Sequence, residues 1–164
     1  MPARTLRLAL VAAVLAGGGA SAEDLAGSKP VGIENATNMF QKICVETLPD
    51  FKRAKAILDA SGFAANPETG TLYHPTLNLS FKVKSGKANG ACSMVFVSRT
   101  DPLQLGIALS TAAVTSGRGD GGVGMDPQTG FAQVDLGKGT IMTFEPSMKM
   151  GGDRYYHAVI SNGN

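Results

Sequence analysis

Two cysteines constrain the fold of this chain more than any other feature. Cys44 lies on a helical stripe in which Met39, Phe40, Ile43 and Cys44 recur at three- and four-residue spacing. Cys92 lies in a run that alternates as a strand does, sharing a face with Met94 and Phe96. A bond between them forces the helix across that strand face and turns the opposite face of the sheet outward. Closing the long loop between the two would remove roughly 3–5 kcal/mol of denatured-chain entropy.

The N-terminus supplies the oxidising compartment such a bond requires. Arg4 and Arg7 precede an uninterrupted apolar run, Leu8 to Ala16, which Gly17-Gly18-Gly19 then breaks. Ala20-Ser21-Ala22 places small residues at the −3 and −1 positions of a cleavage site, so residues 1–22 read as a secretory signal peptide cut after Ala22. The run falls well short of the roughly 20 residues that cross a bilayer, and no cysteine follows the site to carry a lipid. The expected location is the periplasm or the external medium, with no transmembrane segment after cleavage. An even pair of cysteines in an exported chain favours one disulfide. A redox role would call for a Cys-x-x-Cys spacing or a nearby histidine, and neither is present.

Export also changes the charge arithmetic. The 15 Lys+Arg side chains exceed the 13 Asp+Glu only through Arg4 and Arg7, so the processed chain is formally neutral. Neutrality argues against nucleic acid or anionic lipid as an electrostatic partner. Two cysteines are too few for a disulfide-dense miniprotein or a four-cysteine zinc module.

Periodicity divides the rest into a flexible arm over 23–34 and a single domain over 35–164. Asn35 is placed to cap a first helix that runs to Leu48. Pro49 opens a second, with Phe51, Ala54, Ile57 and Leu58 inward and Lys52, Arg53, Lys55 and Asp59 outward. Gly62 and Phe63 provide a Schellman stop. From Leu77 to Lys84 the odd positions are all apolar and the even ones all polar, the signature of a strand with one wet face. A turn at 66–70 feeds a short strand over 71–74, and loop 85–90 leads to a return strand over 91–98. Residues 101–113 alternate as a strand would, but the Asp101-Pro102 start and the alanines favour a helix. A glycine-rich loop over 116–130 and strands near 131–136, 140–145 and 154–160 complete the chain. The expected fold is α+β in the order ααβββαβββ: two N-terminal helices and one middle helix on a largely antiparallel sheet, braced by one disulfide.

The helix pair with Phe40-x3-Cys44-x4-Pro49, the later Gly62-Phe63 and the Cys92 strand resemble small exported proteins of alphaproteobacteria. The resemblance covers the first half of the processed chain. It implies a periplasmic location, an α+β fold and the Cys44–Cys92 bridge, and no activity.

Several motifs invite chemistry and dissolve on inspection. Gly117 to Gly122 matches the dinucleotide fingerprint G-x-G-x-x-G, yet the Val123-Gly124-Met125-Asp126-Pro127 that follows cannot open the required helix. Within it, Arg118-Gly119-Asp120 matches the adhesion tripeptide but reads as an exposed turn of a glycine-rich loop. Gly137-Lys138-Gly139-Thr140 departs from a phosphate-binding loop in both spacing and setting, and reads as a turn. Met142, Met148 and Met150 cluster near the last hairpin, in the manner of core or partner-adaptable methionines. The histidines, His74 and His157, have no partner at metal-ligand spacing, so no metal and no cofactor is expected.

Three functional readings follow. The first is a non-enzymatic periplasmic binding or accessory protein, of inhibitor or immunity type, that contacts a protein or envelope component. Basic edges at Lys82, Lys84 and Lys87, and at Lys52, Arg53 and Lys55, are its candidate contacts. The second is a small hydrolase or ligand-binding enzyme using His157, Tyr155 and Arg154 beside the 116–130 loop. The third is a subunit of an envelope complex.

Overall fold

A helix stripe tethered to a strand face requires helices over one side of a sheet, and that is the architecture found. The computed structural model describes residues 28–115 and 122–163. The expected signal peptide over 1–22 and the Arg118-Gly119-Asp120 tripeptide lie outside the described residues, as does most of the dinucleotide-like glycine motif.

The chain enters through 28–32, where Lys29 bridges Leu77 and the buried Val31 donates its N–H to Val97 O at 2.7 Å. Helix α1 spans Ile33–Phe40 and widens into a π-helical turn over Gln41–Val45. The wider turn lets Ile43, Cys44 and Val45 all be fully buried, which three consecutive positions of a regular helix cannot do on one face. Cys44 is thereby delivered to Cys92, with a Cα–Cα separation of 5.4 Å.

Two helix boundaries differ from the sequence expectation. α1 starts at Ile33, ahead of Asn35, with Gly32 at the N-cap and no side-chain cap. Its first intrahelical bond runs from the Ala36 N–H to Gly32 O at 3.0 Å. The second helix, α2, spans Ala54–Ala60 and does not open at Pro49. The buried Phe51 takes a left-handed φ of 54°, and the chain turns through 46–53 before it coils again; the Leu48–Pro49 peptide in this turn is cis. The C-terminus of α2 is the expected Schellman stop: Gly62 has φ 82°, its N–H donates to Asp59 O and that of Phe63 to Leu58 O, both at 3.1 Å.

Eight strands follow, two more than the periodicity indicated. They are β1 Ala64–Ala65, β2 Leu72–Tyr73, β3 Leu79–Lys84, β4 Ala91–Ser98, β5 Val123–Met125, β6 Ala132–Asp135, β7 Thr140–Met150 and β8 Asp153–Asn162. All pair antiparallel, in the order β1-β2-β3-β4-β8-β7-β6-β5. The two additional strands, β1 and β5, form the outer edges. At two and three residues they are too short to alternate, so only pairing with a neighbour defines them. β5 also converts part of the expected 116–130 loop into sheet.

Helix α3, Pro102–Val114, carries the chain from the centre of the sheet to its far edge. Asp101 caps it, accepting from the N–H groups of Leu103 at 2.9 Å and Gln104 at 3.2 Å. α3 rests on β6 and β7, and α1 packs on α3 and β4. A Cβ on Gly106 of α3 would stand 2.6 Å from Gly130 O, so the helix approaches the β5–β6 turn closely only because glycine occupies that position.

The core lies between the helices and one sheet face. Leu79 and Phe81 of β3, Cys92, Met94 and Phe96 of β4, and Tyr156, Ala158 and Ile160 of β8 contribute to it. Met142 and Phe144 of β7 and Ala132 and Val134 of β6 extend it to the far strands. Tyr156 stacks on Phe96 and Phe144 at centroid distances of 5.3 and 5.7 Å, and its hydroxyl donates to Thr100 O at 2.7 Å.

Candidate functional site

Strict alternation puts every residue between the core positions on the opposite sheet face, and the described residues lay no helix over it. Register fixes its layout. One cross-strand row reads Lys84, Ala91, Ser161, Ile141 and Asp135 from β3 to β6. The next reads Lys82, Ser93, Val159, Thr143 and Gln133, and a third reads Ser80, Val95, His157 and Glu145. Tyr155, opposite Val97, begins a fourth.

Apolar side chains run diagonally across the middle of this face. Val95, Ile141 and Tyr155 are 39%, 38% and 36% exposed, with the half-buried Val159 between them. Lys82 and Lys84 flank the stripe on the β3 side, and Asp135 and Glu145 on the β6–β7 side. Ion pairs among the described residues join Lys52 to Asp50, Lys55 to Asp59 and Arg99 to Asp153, so these four flanking charges belong to none of them. The face therefore carries an apolar diagonal, interleaved with Ser93, Thr143 and His157, between rims of opposite sign, an arrangement suited to a protein contact.

His157 sits at the centre of the face. Its Nε2 lies 2.8 Å from Ser93 Oγ, one strand over, and Glu145 is its direct neighbour on the other side. Tyr155 shares the face, whereas Arg154 falls on the opposite parity, at the strand end beside Ser98 and Lys149. The described part of the 116–130 loop, at β5, is three strands from β8, or about 14 Å at ordinary strand spacing. His157 and Tyr155 are thus brought together, and Arg154 and β5 stand away from them.

The other expected site residues have local partners. His74 Nδ1 accepts the N–H groups of Thr76 at 3.1 Å and Leu77 at 3.0 Å, and burial lowers its pKa below the ordinary 6.5. Its ring stands edge-on to Phe63, so it organises a turn. Of the basic residues at the start of α2, Lys52 and Arg53 precede the helix: Lys52 faces Asp50 at 3.3 Å and Arg53 donates to Glu46 O at 2.9 Å, while Lys55 within it meets Asp59 at 2.8 Å. The N–H of Lys52, bonded to the Asp50 carboxylate, is the main cause of that carboxyl's lowered pKa. Met142 is core, and the side chains of Met148 and Met150 lie outside the described residues.

The three lysines of the first hairpin do not act as one patch. Lys82 and Lys84 stand on the uncovered face. Lys87, in the β3–β4 loop, lines a cavity of about 530 Å³ on the helix side, at the end of β8. Lys138 of the Gly137-Lys138-Gly139 turn lines the same cavity, as does Asn162. Sequence reasoning missed both, because nothing local marks a turn lysine and a strand-end asparagine as neighbours of Lys87.

No known protein family, curated protein or solved structure matches the chain.

Proposed function

We propose that this is an exported, disulfide-braced binding or accessory protein that engages a protein of the cell envelope through its uncovered sheet face. The observation that carries the reading is the diagonal of Val95, Val159, Ile141 and Tyr155 between rims of opposite charge. Burying those side chains against a partner removes apolar area from water, and the rim charges, which join none of the ion pairs among the described residues, orient the approach. Inhibitor and immunity-type factors use contacts of this kind, and so do subunits of envelope complexes. Export rests on the leader at 1–22 and is supported by the Cys44–Cys92 bridge.

The test is affinity capture from the envelope fraction of the source organism, using the oxidised protein and the Val95→Asp and Tyr155→Ala variants. Both positions are surface sites, so the variants should fold. A partner held by the parent and lost from both variants is the expected result. Capture that is indifferent to both substitutions counts against the face.

The hydrolase reading draws on a specific contact, the Ser93–His157 hydrogen bond with Glu145 alongside. Acyl transfer also needs N–H donors directed at a developing oxyanion. β4 is paired on both sides, with β3 and with β8, so the N–H groups around Ser93 are committed to the ladder. Measurable esterase activity that disappears in Ser93→Ala would nonetheless favour the enzyme over the binder.

A further inference from the structure

The cavity beneath the end of β8 has a composition that selects a ligand class. Four separate segments form it: the turn that follows the π-helical segment, the β3–β4 loop, the β6–β7 turn and the end of β8 with Gly163. Its apolar walls are Leu48, Pro49 and Leu136. Among the described residues its ionisable wall groups are Lys87 and Lys138, both cations.

These walls are held in place before any ligand arrives. The Asn162 side-chain amide donates to the carbonyls of Pro49 and Gly86, and its oxygen accepts from Thr140 Oγ1 at 3.5 Å. Its backbone N–H reaches Gly90 O at 3.0 Å, while that of Gly163 reaches Gly139 O at 2.6 Å. One buried asparagine thus ties the three loops to the strand end. Because its polar atoms are used in bracing, recognition is left to the two ammonium groups.

Among the described residues no carboxylate lines the cavity beside those ammoniums. Asp50 lies close enough for Lys87 to contribute to its lowered pKa, but its oxygens serve the Lys52 ammonium and N–H. Asp135 accepts the Gly137 N–H at 2.8 Å. Lys138 itself has φ 53° between two glycines at 77° and 71°. Glycine would fill that left-handed position without strain, yet the turn carries a long cation there.

We propose that this cavity binds a small amphipathic anion, with a carboxylate or similar head between Lys87 and Lys138 and an apolar body on Leu48, Pro49 and Leu136. A volume of about 530 Å³ suits a small organic ligand and is far more than a bare inorganic anion occupies. The site is on the helix side of the sheet, so it is independent of the uncovered face.

Decanoate, decanol and inorganic phosphate are suitable probes, titrated into the oxidised protein and followed through backbone amide NMR shifts. Decanoate should bind saturably and move the amides of Gly137, Lys138, Gly139 and Gly163 while leaving Val95 and His157 in place. Decanol and phosphate should each bind at least tenfold more weakly. The double variant K87Q/K138G should lose at least tenfold in decanoate affinity, most clearly at low salt, where exposed charges are least screened. K138G suits the left-handed turn, so loss of folding does not confound the result. The proposal is overturned by equal affinity in parent and double variant, by decanol or phosphate matching decanoate, by shifts at Val95 and His157 instead, or by no saturable binding. Capture of a partner through Val95 and Tyr155 can succeed or fail whichever result is obtained.

Discussion

Reducing the Cys44–Cys92 bond is the perturbation whose effect can be worked most directly from the structure. Both sulfurs are fully buried, one in the π-helical turn and the other on β4. Reduction leaves both side chains packed where they are, so native contacts change little. The unfolded chain changes more, because a tether across a sequence separation of 48 is released. Chain-entropy arithmetic for a loop of that length gives about 4 kcal/mol. With a urea dependence of about 2 kcal/mol/M for a domain of this size, the midpoint should fall by about 2 M. The thermal midpoint should fall by about 12–16 °C. The assay is urea unfolding of oxidised protein beside protein refolded and held in excess reductant. A Cys44→Ala/Cys92→Ala variant should lose about 1–2 kcal/mol more than the reduced protein, because it also deletes buried atoms. If oxidised and reduced proteins unfold within about 1 kcal/mol of each other, the bond does not act by restricting the unfolded chain.

Three further substitutions probe different layers of the same argument. Gly106→Ala, which helix propensity alone would favour by about 1 kcal/mol, should instead destabilise by about 1–2 kcal/mol, because the added Cβ meets Gly130 O at 2.6 Å; a higher urea midpoint would contradict the close approach. Asn162→Ala should cost about 2–4 kcal/mol by orphaning the Pro49 and Gly86 carbonyls, and calorimetry showing less than about 1 kcal/mol would mean the loops are braced otherwise. His74 has a pKa lowered by burial, so the native state takes up a proton less readily than the unfolded chain. Its stabilising contribution is complete above the ordinary value of 6.5 and is lost as pH falls toward the lowered one. The parent should lose stability from pH 7 to 5, and His74→Asn, which keeps an acceptor for Thr76 and Leu77, should lose less; equal losses would remove His74 from the explanation.

The unmatched chain makes the division between local and tertiary information easy to see. Alternation over 77–84 and 91–98 marked β3 and β4 and put Lys82 and Lys84 on the wet face, because a half-buried strand writes its two environments in a period of two. Val97 of β4 falls on that face by the same alternation and is nevertheless buried. The Asp101 cap, the Gly62 stop and the Lys138 turn were likewise legible, since each depends on backbone chemistry within a few residues. The beginning of α2 was not. Pro49 is compatible with a first helical turn, and only the packing of Phe51 into the core selects the left-handed conformation that delays the helix to Ala54.

The candidate sites show the same boundary. The sequence by itself determined that Cys44 and Cys92 face a common core and that Lys82 and Lys84 point away from it, because periodicity orients side chains within one element. Only the tertiary structure decided that β8 pairs with β4, since register between strands so distant in the chain depends on which faces become buried together. That pairing sets His157 beside Ser93 and completes the apolar diagonal from Val95 to Ile141. It also brings Asn162 under Pro49 and Lys138 into the cavity of Lys87, joining segments that no local pattern connects.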